Sequence, residues 1–324
     1  MARSSADYPM PNTRMHRRHS WTRWWYRVVI ATSLPMVAQA APSQAPQPAP
    51  RPGQTPASAP RLPTLAVFLV AHPDDWQLFM GDVAVRHLAR SDRALFIIVS
   101  AGDAGRSASY WRARESGALA SMRAALALAD QPVTHATTKF LRLPDGKPDG
   151  VGFSATGFQS LQRLEQRMVP HLLSIDSTTR YANVREVIQA LRTIVQSEQR
   201  LGMYVHLHTH DPDRQHNPGD HADHRSVGRL ALALAESMRV PVTLYSGYVN
   251  IRRPDNLSAT DAARKAYLFV AYDRARMAVK VTFSAYCENP WAHVVYLSRS
   301  YARTAPRQDG LLFRAWPEAS PVPP

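Results

Sequence analysis

The chain has 324 residues, of which 45% are hydrophobic and 20% charged, and its formal net charge is +14. This length and composition exclude a wholly disordered protein and are typical of one large catalytic domain with an appendage. The charge suggests nucleic-acid binding, but residues 1–63 hold eight Arg against one acid and therefore carry half of it. Because the rest of the chain has no basic cluster interleaved with aromatic residues, we predict no nucleic-acid partner.

The first 63 residues have the composition of an export signal and a linker. Several Arg residues precede an apolar stretch at residues 28–37, and an Ala-x-Ala site ends at Ala40. This order predicts a secretion signal over residues 1–40 and an exported protein, periplasmic or extracellular. The apolar stretch is too short to cross a bilayer, so we expect no stable membrane span after cleavage. The alternatives are an uncleaved anchor and a start at Met15. Residues 41–63 are rich in proline, which predicts a disordered linker.

The first strand of the chain ends in a polar turn. An apolar run at residues 65–70 stops at His-Pro-Asp-Asp, residues 72–75. Such a run is typical of a buried parallel strand, whose carboxyl end then carries the polar side chains. Two adjacent carboxylates disfavour each other's ionisation unless a cation compensates. We therefore predict that His72 and Asp75 bind one divalent metal ion, which leaves Asp74 available as a base.

A second histidine pair lies far downstream, in Asp-His-Ala-Asp-His at residues 220–224. His221 and His224 precede an apolar pattern with helical spacing, which places both on one face of a first helical turn. One could bind the metal and the other could contact substrate. Each motif alone is commonly a surface feature, but together they supply the nitrogen and oxygen ligands that suit zinc. The pair of motifs predicts a joint metal site.

These motifs resemble the PIG-L/LmbE-like family of zinc-dependent de-N-acetylases, which includes the N-acetylglucosaminyl-phosphatidylinositol deacetylases. The resemblance rests on AHPDD after the first strand and on DHADH downstream, with supporting matches in LFIIVSAGDAG and FLRLPDG. It covers residues 65–244. The family motif usually continues with glutamate after the second aspartate, whereas this chain has Trp76.

The resemblance implies a role for each motif residue. The implied metal ligands are His72, Asp75 and His224. Asp74 matches the general base, and His221 matches the residue that stabilises the oxyanion or protonates the leaving amine. Asp223 matches the carboxylate that orients this histidine. The implied cofactor is Zn²⁺, with another divalent metal as the alternative.

The implied reaction is removal of the N-acetyl group from an N-acetylglucosamine-type amino sugar or glycoconjugate, free or as part of a glycan. Two alternatives stay open. One is a metallohydrolase that acts on another amide or on an ester, and the other is a catalytically inactive sugar-binding relative. The sequence leaves the oligomeric state open.

Two further residues are candidates for substrate binding. Asp103 lies in the Gly-rich turn after the second strand, where it could contact a sugar hydroxyl, although aspartate is also a good turn former. Arg112, or its neighbour Arg114, could bind substrate hydroxyls or phosphate. The alternative for Arg112 is a surface ion pair with Glu115. Four histidines downstream form a competing set of metal ligands or, alternatively, one donor near the site and three loop residues: His206, His208, His210 and His216.

Strands alternate with helices over residues 64–305, which we interpret as the catalytic domain. The predicted strands are 65–70, 95–100, 139–143, 203–208 and 240–249. The predicted helices are 77–90, 109–129, 158–173, 184–195, 223–238 and 258–274. Residues 281–296 have a β-like pattern typical of edge structure, and residues 306–324 are predicted to be a disordered tail. The alternation predicts an α/β, Rossmann-like three-layer fold with a mostly parallel sheet and the active site at the carboxyl ends of the strands.

Overall fold

The computed structural model describes residues 62–278 and 291–305. In this part of the chain, a six-stranded sheet has the strand order β3-β2-β1-β6-β7-β8. Its strands are β1 (Thr64–Val70), β2 (Arg93–Ser100), β3 (Ala136–Leu143), β6 (Tyr204–His210), β7 (Val242–Tyr245) and β8 (Ala302–Thr304). Neighbouring strands run parallel except for the pair β7 and β8, which is antiparallel. The predicted mostly parallel sheet is confirmed.

Helices connect the parallel strands. They are α1 (Asp75–Ala89), α2 (Ala108–Leu128), α3 (Leu161–Glu165), α4 (Val184–Glu198), α5 (Ala222–Met238), α6 (Ala259–Ala278) and α7 (Trp291–Val294). Two short strands, β4 (Leu172–Leu173) and β5 (Arg180–Tyr181), form a separate antiparallel pair. Among the described residues, no helix combines the length and the apolarity that a membrane crossing requires.

The core lies on both faces of the sheet, as a buried parallel strand requires. Successive side chains of β1 point to opposite faces, and all seven residues of the strand are buried. Leu65, Val67 and Leu69 pack on the side of α4 and α5. Ala66, Phe68 and Val70 pack on the side of α1, α2 and α6. The fold is therefore a three-layer α/β arrangement with β1 at its centre, which confirms the Rossmann-like prediction.

The topology brings two distant segments to one edge of the sheet. β1 pairs directly with β6 in parallel, so their carboxyl ends lie side by side. The His72-to-Asp75 turn follows β1 and leads into α1, whereas β6 ends at His210 and a loop leads to α5. This edge, at the carboxyl ends of β1 and β6, is where open α/β sheets bind their ligands.

Several predicted boundaries are wrong. Residues 158–173 were expected to be one helix, but α3 ends at Glu165 and the left-handed Arg167 (φ 57°) prevents its continuation. β6 extends to His210, so this histidine belongs to the strand and not to the following loop. In place of the β-like structure predicted for residues 281–296, the described residues 291–294 form α7. The secretion signal 1–40, the linker up to residue 61 and the tail 306–324 lie outside the described residues.

Candidate active site

Three predicted metal ligands lie together at the carboxyl edge of the sheet. His72 Nδ1 is 3.2 Å from His224 Nε2 and 3.3 Å from Asp75 Oδ2, and His224 Nε2 is 3.2 Å from Asp75 Oδ1. All three residues are buried. The turn itself sets Asp75 in place, because the backbone N–H of His72 donates a 2.6 Å hydrogen bond to Asp75 Oδ2. Two imidazole nitrogens and a carboxylate thus face one point, although His72 and His224 are 152 positions apart along the chain.

The far nitrogen of each of these imidazoles contacts a buried carboxylate. His72 Nε2 is 3.1 Å from Asp145 Oδ1, and His224 Nδ1 is 2.9 Å from Asp220 Oδ1. A carboxylate behind a histidine fixes the ring orientation and the tautomer, and it leaves the near nitrogen as a ligand atom. The sequence motifs alone identify neither Asp145 nor Asp220 as a site residue. The DHADH spacing places Asp220 four residues before His224, and this is the signal by which Asp220 could have been found.

The charges around the site favour a cation at the facing nitrogens. Burial lowers the pKa of His224, but Asp220 and Asp75 outweigh it and raise this pKa to about 9. Burial likewise opposes protonation of His72, yet Asp75 and Asp145 raise its pKa well above the ordinary value. Burial opposes ionisation of Asp75, but His224 and His72 hold its pKa well below the ordinary value. Positive charge is therefore stabilised where the three ligand atoms meet.

These observations fit a bound zinc ion. The donor set of two histidines and one aspartate matches the three-ligand arrangement of catalytic zinc sites. Five buried carboxylates on or beside the ligands add negative charge, and they are Asp74, Asp75, Asp145, Asp220 and Asp223. Asp223 Oδ1 is buried and has no hydrogen-bond partner among the described residues. A divalent cation would compensate this concentration of like charge.

A competing set of ligand atoms shares His224. His210, Asp220 and His224 also bring ligand atoms within 4.8 Å of one another. However, Asp220 contacts His224 through Nδ1, the ring nitrogen opposite the one that faces Asp75. The His210 ring stacks on that of His224 with centroids 4.0 Å apart, and its Nε2 lies 3.1 Å from Asp75 Oδ2. His210 therefore contacts the Asp75 carboxylate from the side, which is the place of a supporting residue.

Asp74 points to a different partner from its neighbour Asp75. Arg114 Nη2 donates a 2.6 Å hydrogen bond to Asp74 Oδ1, and both side chains are buried. Arg114 is itself held by Gly102 O at 2.7 Å and by the hydroxyl of Tyr272 at 3.1 Å. Gly102 has φ 59°, and a Cβ there would lie 2.3 Å from Arg114 Nη1, so glycine is required for this close approach.

His221 lies beside His72, with ring centroids 4.7 Å apart, and it also caps α5. Its Nδ1 accepts a 3.2 Å hydrogen bond from the backbone N–H of Asp223. Burial, helped by His72 and His224, lowers the pKa of His221 to about 3. Because Nδ1 is an acceptor, the neutral ring carries its proton on Nε2. His221 is thus a neutral hydrogen-bond donor, which favours the oxyanion role over protonation of the leaving amine.

The carboxylate of Asp223 does not contact His221 in the predicted way. Its Oδ2 accepts a 2.8 Å hydrogen bond from Gly146 N and lies 3.6 Å from His72 Nε2. Burial raises the pKa of Asp223, as does the nearby Asp145. Asp223 thus orients His221 through its backbone N–H, and its side chain connects the loop at Gly146 to the metal-ligand region.

The two predicted substrate-binding residues have local contacts. Asp103 is buried, and its oxygens accept hydrogen bonds of 2.9 Å each from the backbone N–H groups of Asp145 and Gly105. It therefore connects the loops after β2 and β3, and its substrate role stays a prediction. Arg112 is exposed and lies over the ring of Trp111 at 5.0 Å. Glu115 forms its ion pair with Arg142, at 2.7 Å, and not with Arg112 as predicted.

Trp76, which replaces the family glutamate, is a core residue. Its side chain is fully buried and packs on Phe96 with ring centroids 4.3 Å apart. It belongs to the apolar cluster between the sheet and the helices α1, α2 and α6. The departure from the family motif therefore changes the packing beneath the site and leaves the facing ligand atoms in place.

A match to a known family shows which family the chain belongs to. Residues 67–235 match the family described as PIG-L, GlcNAc-PI de-N-acetylase. This span is more than half of the chain. The chain belongs to the PIG-L family. The predicted family is confirmed, whereas the roles predicted for individual residues stay predictions. No curated protein matches this PIG-L chain.

Solved structures similar to this PIG-L chain include enzymes of several kinds. A deacetylase of the teicoplanin biosynthesis pathway is 16% identical, with a TM-score of 0.44, and the alignment covers 66% of this chain and 84% of that one. N,N'-diacetylchitobiose deacetylase from Pyrococcus horikoshii is 14% identical, with a TM-score of 0.43 and coverage of 75% and 84%. The 4-carboxy-2-hydroxymuconate hydratase from Pseudomonas putida is 17% identical, with a TM-score of 0.35 and coverage of 68% and 91%.

Proposed function

We propose that this PIG-L chain is a zinc-dependent hydrolase that removes the acetyl group from an N-acetylglucosamine-type amino sugar or glycoconjugate. The observation that carries the proposal is the meeting of His72, Asp75 and His224 within hydrogen-bond distances at the carboxyl edge of the sheet. Family membership supplies the reaction class, since the family is described as a de-N-acetylase. A zinc ion held by these three residues would supply Lewis acidity toward the amide carbonyl.

Asp74 is the proposed general base. It is adjacent to a metal ligand in the chain, yet its carboxylate is held by Arg114 and not by the ligand set. In the proposed reaction Asp74 accepts a proton from the attacking water while the water oxygen bonds to the amide carbon. When the carbon–nitrogen bond breaks, the same carboxyl group returns the proton to the leaving nitrogen, so the products are a free amino sugar and acetic acid, which loses its proton to solvent and becomes acetate.

His221 is the proposed donor to the oxyanion. Its Nδ1 is occupied by the Asp223 backbone N–H, so the proton on Nε2 is available to a substrate oxygen. A neutral imidazole that is fixed in one orientation can stabilise developing negative charge without reorganisation during the reaction. This arrangement leaves proton transfer to Asp74 and charge stabilisation to His221.

The test compares two adjacent carboxylates. Acetate release is measured from N-acetylglucosamine, from N,N'-diacetylchitobiose and from an N-acetylglucosaminyl-inositol compound, together with the zinc content of the protein. We expect Asp74→Asn to retain zinc but to lose about 100-fold or more in kcat. Asp75→Asn is expected to lose both zinc and turnover. Asp130→Asn, an exposed carboxylate after α2, is the matched control.

Three outcomes would contradict the proposal. Equal turnover by Asp74→Asn and the unsubstituted protein would remove the base. Acetate release that persists in Asp75→Asn after chelation would remove the metal dependence. A protein that binds zinc at these residues but releases no acetate from any of the N-acetyl sugars would act on another substrate class.

A further inference from the structure

A second group of histidines lies away from the candidate active site. His87 is near the end of α1, and His206 and His208 occupy alternate positions of β6, so the latter two face the same side of the sheet. Each offers one ring nitrogen, and these atoms lie within 4.8 Å of one another. The rings of His206 and His208 stack at 4.3 Å, and the His87 ring meets that of His208 edge-on at 5.0 Å.

Each of these histidines is oriented by a polar partner on one ring nitrogen. The partners lie on three different segments of the chain. They are Asp92 Oδ2 at 2.8 Å from His87 Nδ1, Thr243 Oγ1 at 2.9 Å from His206 Nε2, and the Tyr245 hydroxyl at 3.0 Å from His208 Nδ1. A hydrogen bond to the far nitrogen is the usual environment of a metal-binding imidazole, because it fixes both the tautomer and the ring plane.

The buried nitrogen of His208 is the independent sign of a ligand. His208 is 2% exposed, and its Nε2 has no hydrogen-bond partner in the described part of the chain. Leaving a buried polar atom without a partner destabilises the folded state. Phe68 stacks on the same ring at 4.8 Å, so apolar packing holds the ring in place without satisfying the nitrogen. A metal ion would satisfy it.

The electrostatics of the group suit neutral ligands. Burial, together with the neighbouring His87, lowers the pKa of His206, and burial with His206 and His87 lowers that of His208 well below the ordinary value. An imidazole binds a metal ion through the lone pair of its neutral form. His87 and His206 are partly exposed, so an ion can reach the group from solvent.

We propose that His87, His206 and His208 form a second metal site, which takes a zinc-class transition-metal ion and is separate from the candidate active site. Three imidazole nitrogens suit Zn²⁺, Co²⁺, Ni²⁺ and Cu²⁺, whereas Mg²⁺ and Ca²⁺ require oxygen ligands. The ion would link the end of α1 to the middle of β6. Asp75 is the first residue of α1 and His210 is the last residue of β6. An ion at the second site would therefore stabilise the two elements that position these active-site residues.

The experiment counts metal ions on the full chain. Protein stripped by a chelator is titrated with Co²⁺ alone and followed by calorimetry and by visible absorption, which reports the ligand geometry. We expect two ions on the unsubstituted chain, one on His224→Gln, and one on the double variant with His87→Gln and His206→Gln. The combination of all three substitutions is expected to bind none. His216→Gln, which alters an exposed loop histidine, is the control and keeps two ions.

A milder variant keeps the test informative if the double variant does not fold. Thr243→Val keeps all three histidines and removes only the hydroxyl that contacts His206, so we expect affinity at the second site to fall about tenfold. Circular dichroism checks the fold of each variant. The electron paramagnetic resonance spectrum of Cu²⁺ bound to His224→Gln should show nitrogen hyperfine structure, which reports imidazole ligands.

The inference fails if His224→Gln binds no metal, or if the double variant and Thr243→Val bind as many ions as the unsubstituted chain with the same affinity. It does not depend on the proposed function. A variant that loses deacetylase activity but keeps the second ion, or loses the second ion but keeps the activity, distinguishes failure of the proposed function from failure of the second metal site.

Discussion

Arg114 and Asp74 form a buried ion pair, with 2.6 Å between Nη2 and Oδ1. The pair joins α2 to the turn after β1, so the residue proposed as the base is oriented by a side chain 40 positions away. Arg114 has two further acceptors, Gly102 O and the Tyr272 hydroxyl, which together fix the plane of the guanidinium. The Asp74 carboxylate is therefore paired with an arginine that two further contacts hold in place.

Substitution of Arg114 by lysine tests this positioning role. Lysine keeps the positive charge but cannot reproduce the planar set of donors. Misplacement of a catalytic group by about 1 Å reduces the rate by about 100-fold, so we expect kcat for acetate release to fall by that order while KM and zinc content change little. Arg123→Lys, an exposed position on the same helix, is the control. An unchanged kcat in Arg114→Lys would show that the pair serves stability alone.

Two variants of His221 separate its capping contact from its proposed contact with substrate. Asparagine can accept the hydrogen bond from Asp223 N as histidine does, but it lacks the Nε2 donor. His221→Asn should therefore keep the stability of the unsubstituted protein and lose about 100-fold in kcat. His221→Ala should lose the same activity and, in addition, about 1 kcal/mol of unfolding free energy. Denaturant unfolding and acetate release are measured on both. Equal activity of His221→Asn and the unsubstituted protein would contradict the oxyanion role.

The sequence predicted the fold and the proximity of His72, Asp75 and His224, because both follow from local patterns. The unbroken apolar run of β1 identifies a central parallel strand, and a polar turn after such a strand lies at the ligand-binding edge. The spacing of His221 and His224 before an apolar helix placed the second segment. What joins these segments is the parallel pairing of β1 with β6, which the alternation of strands and helices does not specify.

The supporting contacts could not be predicted from the sequence. The Asp145–His72, Arg114–Asp74 and Tyr272–Arg114 contacts link loops and helices that are 73, 40 and 158 residues apart. No local pattern distinguishes Arg114 from the exposed Arg112 two residues earlier. The helix predicted for residues 158–173 failed for a similar reason, since left-handed backbone at Arg167 and the pairing of β4 with β5 override the local helical pattern.

The carboxylates behind the ligands should control metal affinity. Asp145 and Asp220 each contact the far nitrogen of a proposed ligand, at 3.1 Å and 2.9 Å. Replacing such a carboxylate by its amide typically weakens metal binding by about 10- to 100-fold. We expect this loss for Asp145→Asn and for Asp220→Asn in a zinc competition assay with a chromophoric chelator. Asp130→Asn should bind zinc as the unsubstituted protein does. Unchanged affinity in both variants would place the metal elsewhere.

Lys265 provides a prediction about stability that is independent of the metal. It is fully buried on α6, and its Nζ donates to the carbonyls of Tyr296 and Arg299 at 2.9 Å and 2.5 Å. Burial lowers its pKa from 10.5 to about 8, against the opposing effect of Asp82. Between these two values the unfolded chain binds more protons than the folded chain, so stability rises with pH across this window.

The magnitude follows from the shift between the two pKa values. A shift from 10.5 to about 8 corresponds to about 3 kcal/mol of unfolding free energy, which is gained as the pH rises from 8 to 10.5. Lys265→Met removes this titration, so the stability difference between the unsubstituted protein and the variant should change by about 3 kcal/mol in favour of the unsubstituted protein over that range. Reversible urea unfolding at pH 7.5, 9 and 10.5 measures it, with the exposed Lys147→Met as the control. A difference that stays constant with pH would show that Lys265 titrates alike in the folded and unfolded chains.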